Sequence, residues 1–188
     1  MKQSEIVRHL TDAELRKQLF ISQLFLLIIA FLLSIFLFDT LSEWMVYWHW
    51  DSGEIFQYGV IPGLIIVSAD LILMILLPKS WYDDGGINER IFKRQPLLTV
   101  IILVLLVAVS EELLFRGVLQ TVFGYIPASI LFALVHIRYL YKPVLLISVL
   151  FVSFYIGYLF HITDNLAVTI TAHFTVDLLL ALVIRLQK

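Results

Sequence analysis

The sequence predicts an all-α membrane protein with about six transmembrane helices, N-terminus and C-terminus cytoplasmic, and a polar centre near mid-membrane. Composition, the lengths of the apolar runs and the placement of Lys and Arg lead to it. Of 188 residues, 61% are hydrophobic and 15% charged, and the mean hydropathy is +0.95. Soluble domains hold about 45–50% apolar and about 25% charged residues. A globule of this size keeps much of its surface wet and cannot hide the surplus, so a lipid bilayer is required. The absence of Cys excludes disulfides, thiolate metal sites and a cysteine nucleophile. A net charge of −2 without a basic patch argues against nucleic acid as a partner.

Residues 1–18 are polar and form a cytoplasmic or interfacial segment, in which Thr11-Asp12-Ala13-Glu14 reads as a capping box leading into a short helix. No small-residue cleavage site follows the first apolar run, so no signal peptide is expected. A spanning helix needs about 20 mostly apolar residues. Six runs come near this: Leu19–Phe38, Gln57–Leu77, Leu97–Arg116, Ile126–Tyr141, Pro143–Phe160 and Asn165–Arg185. Pro78, Pro96, Pro127 and Pro143 stand at their boundaries, where proline starts or stops helices most cheaply. Trp44, Tyr47, Trp48 and Trp50 lie between the first two runs, and this aromatic density suits a headgroup-layer anchor. Residues 19–96 thus carry two helices and their loops, and residues 97–188 a four-helix core.

Lys and Arg test the count. With the N-terminus cytoplasmic, twelve of the thirteen fall inside and only Arg116 outside. They cluster before the first helix, in Lys79–Arg94, at Arg138 and Lys142, and at Arg185 and Lys188. A wrong number of spans would scramble that asymmetry.

Within the spans sit Asp70, Glu111, Glu112, Arg116, His136, His173 and Asp177. Each such charge costs about 2.5–3.5 kcal/mol at the bilayer centre on insertion scales, so each needs a partner or a function. For Asp70 alone a helix–helix hydrogen bond suffices as explanation. The others converge. At about 1.5 Å rise per residue, Glu111, His136 and His173 fall about 15–21 Å from the inner edge, on three different helices. Glu112 and Arg116 are four residues apart and can pair, leaving Glu111 free on another face. His173 and Asp177 share a face, as do Phe132 and His136. A carboxylate and a histidine in a low-dielectric cavity can activate water. A second histidine with a carboxylate can stabilise an oxyanion or, with Glu111 and His136, bind a divalent metal such as zinc. Ser110 precedes Glu111 but lacks a glycine elbow, which disfavours serine catalysis.

Glu111-Glu112-Leu113-Leu114-Phe115-Arg116 matches an EExxxR motif, Phe132 to His136 matches FxxxH, and His173 to Asp177 matches the Asp variant of HxxxN. In that order on separate apolar helices, these motifs resemble those of the CPBP family: CAAX proteases, bacteriocin-processing and bacteriocin-immunity proteins. The eukaryotic type II CAAX prenyl endopeptidase belongs to the same superfamily. The resemblance covers about Val100 to Leu182. It implies a peptidase embedded in a membrane, here expected to be a bacterial cell membrane, that acts on a membrane protein or peptide. By carry-over, Glu111 activates water with His136, while His173 and Asp177 stabilise the oxyanion or bind a metal. Glu112, Arg116 and Phe132 are then supporting. Family members are described both as glutamate-dependent and as metal-dependent, so Glu111, His136, His173 and Asp177 are also the candidate metal ligands. Asp177 departs from the Asn of the eukaryotic enzymes; an ionised Asp cannot donate a hydrogen bond to an oxyanion. The rival readings are a non-catalytic regulator, such as an immunity or scaffold protein binding a membrane partner, and an ion-coupled transporter.

Overall fold

The computed structural model describes residues 9–136, 139 and 142–186. Among them there are no strands. Seven helices are named here in chain order: α1 (Asp12–Leu37), α2 (Ser52–Leu76), α3 (Ile87–Phe92), α4 (Leu97–Phe123), α5 (Tyr125–Val135), α6 (Pro143–Thr163) and α7 (Leu166–Leu186). Five of them (α1, α2, α4, α6 and α7) are long and apolar enough to cross a bilayer. The chain is a multi-pass membrane protein.

The expected boundaries hold in part. The capping box is present, with Thr11 accepting from Glu14 N–H and Glu14 accepting from Thr11 N–H. It opens the spanning helix itself, not a separate short helix, because nothing between Leu15 and Leu19 breaks the helical pattern. The fourth run differs more. Its helix, α5, has only 11 residues, which at about 1.5 Å per residue reach about 16 Å and do not span. His136 is the C-cap of α5, not an interior helical residue as expected. Arg138 and Tyr141 of that run, with Lys2, Arg8 and Lys188 of the charge count, lie outside the described residues.

One end of the bundle gathers the basic segments. Arg90 of α3 pairs with Asp12 at 2.7 Å and donates to the Leu10 carbonyl. Arg185 donates to the Gln95 carbonyl at 3.1 Å, and Lys142 to that of Ser80 at 3.3 Å. The start of α1, the 79–96 segment, the start of α6 and the end of α7 therefore share what we call the basic end.

The helices pack through small residues. Gly59 and Gly63 of α2 lie against Thr171 and Thr175 of α7, where a side chain would be tight at Gly59 and would collide at Gly63. Close approach of this small-xxx-small kind lets van der Waals contact and weak polar contacts join helices in lipid. Near Gly157 of α6, a Cβ would meet Ser129 and Tyr125 of α5. Ser153 donates to the Ser129 carbonyl at 2.7 Å across the same seam. The Trp-rich loop divides. Trp50 is exposed, consistent with an anchor, but Trp44 packs against Phe38 and over Gly117 and so belongs to the core.

Candidate active site

The site begins with an irregularity in α4. Leu97–Glu112 is α-helical, but Leu113–Gln120 widens into a π-helix immediately after the two glutamates. Such wide turns leave backbone groups mismatched and are frequent at functional sites. Here Thr121 Oγ1 donates back to the Arg116 carbonyl, satisfying one of them. The π segment is fastened to α6: Arg116 donates to the Ser153 carbonyl at 3.1 Å, and Gln120 to that of Gly157 at 2.7 Å.

The glutamates then face different partners. Glu112, fully buried, accepts from His173 Nδ1 at 2.9 Å through Oε1, while Arg116 Nε lies 3.4 Å from its Oε2. The Arg116 contact is an ion pair without hydrogen-bond alignment, so Glu112 Oε2 and Arg116 Nε have no hydrogen-bond partners among the described residues. Arg116 compensates by lying over the Phe132 ring, 4.9 Å from its centroid, a cation–π contact that gains strength when desolvated. Sequence spacing anticipated Glu112–Arg116; it did not reveal that Glu112 also orients His173.

Glu111 faces the cavity. Its Oε2 lies 3.9 Å from His136 Nε2 and, although buried, has no hydrogen-bond partner among the described residues. His136 Nδ1 is 2.9 Å from the Phe132 carbonyl. Donation there leaves Nε2 as the free lone pair of the neutral ring, turned toward Glu111. Phe132 touches both imidazoles, at 5.0 Å from His136 and 5.9 Å from His173. Asp177 Oδ2 stands 3.5 Å from His173 Nε2 and is about one-third exposed.

Two residues outside the motifs join them. Gln23 of α1 donates to Glu111 Oε1 at 3.4 Å and accepts from Ser110 Oγ at 2.5 Å. The available signal was a lone amide in an otherwise apolar run. Asp70 lines the same cavity as Glu111, His136, His173 and Asp177. That cavity encloses about 500 Å³ and extends from the histidines toward α3 and the basic end.

The motif residues thus meet in one place although three helices, α4, α5 and α7, supply them. A family model described as "Type II CAAX prenyl endopeptidase Rce1-like" matches residues 93–179, the stretch that holds all three motifs. The chain belongs to that Rce1-like, CPBP family. Over 166 residues it is 40% identical to the "Uncharacterized protein YpbD" of Bacillus subtilis (strain 168), covering 88% of each chain. No solved structure matches it significantly. The helices α1, α2 and α3 precede the matched residues, yet α1 and α2 supply Gln23 and Asp70 to the cavity.

Among the described residues, no group of three or more His, Asp or Glu is disposed to hold one metal ion. His173 Nδ1 is engaged by Glu112, His136 Nδ1 faces a carbonyl, and the two histidines serve separate carboxylates. Those Nδ1 contacts leave each Nε2 available, as metal-ligating histidines are held, but no three donors among the described residues form the compact set that catalytic zinc takes.

Proposed function

We propose that this chain is an intramembrane endopeptidase that hydrolyses a peptide bond of a membrane-associated protein or peptide with a water activated by Glu111 and His136. The observation that carries the reading is the unpartnered Glu111 Oε2, 3.9 Å from the acceptor nitrogen of His136 on a cavity wall. One water about 2.8 Å from each atom can donate to both. As its oxygen attacks the carbonyl carbon, one proton passes to Glu111 and the carbonyl π electrons move to oxygen. The C–N bond then breaks, the proton goes to the leaving nitrogen, and a carboxyl and an amine result.

His173 supplies the electrophilic side. Held by Glu112 at Nδ1, it directs Nε2 toward the cavity beside Asp177. Both ring nitrogens can donate only in the imidazolium form, and in that form Nε2–H stabilises the developing oxyanion. Asp177 orients the ring in place of the Asn expected from the eukaryotic enzymes. A bacterial cell membrane is the proposed location, in keeping with the Bacillus relative.

The test compares new protein termini in membranes of cells expressing the native chain, Glu111→Gln or His173→Ala at matched levels. Termini that disappear in both variants support proteolysis and name the substrate. Identical termini in all three, in cells of the native host, point to a non-catalytic regulator. Cleavage by purified protein that is abolished by a chelator and restored by zinc would replace the water mechanism with a metal one.

A further inference from the structure

Among the described residues, Asp70 is the one carboxylate lining the cavity that the proposed chemistry does not use. It accepts from Ser148 of α6 at 2.8 Å through Oδ1. No hydrogen bond to its Oδ2 is found among the described residues, and Asp70 lines the cavity, as do Val149, Val152 and Leu180. The Ser148 contact is the helix–helix hydrogen bond expected for Asp70, but such a link needs only a neutral acceptor and leaves an ionised carboxylate without a charge partner. The described residues lining the cavity include three carboxylates, Asp70, Glu111 and Asp177, and no Lys or Arg. An ionised carboxylate in such a wall is expensive unless it takes up a proton or something brings it a positive partner.

Its position follows from helix register. Gly63 and Asp70 are seven residues apart, close to two whole turns, so Asp70 lies near the α2 face that packs on α7, where it also reaches Ser148 of α6. The two helices run in the same direction, with Gly63 against Thr175. Asp70 is therefore about 13 Å nearer the basic end than His173. An extended peptide covers that distance in about four residues.

We propose that Asp70 and Ser148 form a subsite that binds a cationic side chain of the substrate about four residues from the scissile bond. The subsite rests on the peptidase reading above and narrows it to substrates carrying a Lys or Arg at that offset. The carboxylate contributes charge, and Ser148 holds one of its oxygens, leaving the other for the incoming cation.

The full chain in lipid nanodiscs would be given quenched-fluorophore peptides built on one cleaved sequence, with Lys or Leu placed at each position from two to six residues on either side of the cut. At one offset, kcat/KM for Lys over Leu is expected to be about 10- to 100-fold, the range of a charge-assisted hydrogen bond. Asp70→Asn keeps an acceptor for Ser148 and should bring that ratio to about one, whereas Asp70→Glu should keep it well above one. Melting temperatures of both variants check the fold. A ratio near one at every offset in the native chain, or an unchanged ratio in Asp70→Asn, overturns the subsite alone. Absence of any Glu111-dependent cleavage overturns the peptidase reading, and the subsite with it.

Discussion

Two imidazole–carboxylate pairs lie on either side of Phe132, and they are built differently. Glu111 and His136 stand 3.9 Å apart on a cavity wall, and one carboxylate oxygen is unpartnered. Glu112 and His173 are hydrogen bonded at 2.9 Å, almost wholly buried, and backed by an equally buried Arg116. A loose pair with room for a third group can hold water and exchange a proton with it. A closed pair, knit into a charge chain, holds its ring at one angle. Adjacent glutamates thereby take opposite tasks, one chemical and one positional, because they project from α4 about 100° apart.

The largest test of that contrast is catalytic. Glu111→Gln and His136→Ala should each lower kcat/KM by about 10²–10⁴-fold while leaving thermal stability near that of the native protein, as read by peptide cleavage and melting in nanodiscs. Similar losses of stability in both would erase the distinction between open and closed pairs. Glu112→Gln should act the other way first. It strands Arg116 with no charge partner, and removing one member of a buried pair costs about 3–5 kcal/mol, so denaturant unfolding should show the deficit even in protein that retains the cavity.

A smaller effect is expected where α2 meets α7. Gly63→Val drives a side chain into Thr175, and overpacking of this kind costs about 1–3 kcal/mol. Because α7 carries His173, activity should fall with little change at the Glu111 pair; rescue by Thr175→Ala would localise the fault to the seam. The smallest effect lies outside the membrane. Lys93 beside Glu89 holds that carboxyl below the usual carboxylate range, by a hydrogen bond and by its charge. The lowered value means that its stabilisation is present above the unfolded pKa of about 4.3 and is lost as pH falls through the folded one. Lys93→Gln should raise the Glu89 titration midpoint measured by NMR and leave behaviour at neutral pH unaltered.

The legible parts were those with a local signature. Run length and the Thr11 capping box announced α1, and prolines announced the starts of α4 and α6. Glu111, His136 and His173 were legible as polar residues where lipid tolerates few. Less visible was whatever depends on a neighbour far along the chain. Gln23 meets Glu111 across 88 positions, and Glu112 meets His173 across 61. The shortness of α5 was hidden as well, because the apolar run continues past Val135 while the helix does not.

Composition and charge placement therefore specify a membrane helical bundle and its polar interior, since the transfer of apolar side chains to lipid and the bias of Lys and Arg act residue by residue. The π-helix after Glu112, the partner each glutamate takes, and the entry of Gln23 and Asp70 into the cavity were decided only when the helices packed. Those features depend on small residues such as Gly63 and Gly157 letting helices approach closely, and on buried polar groups finding partners where no water can serve them.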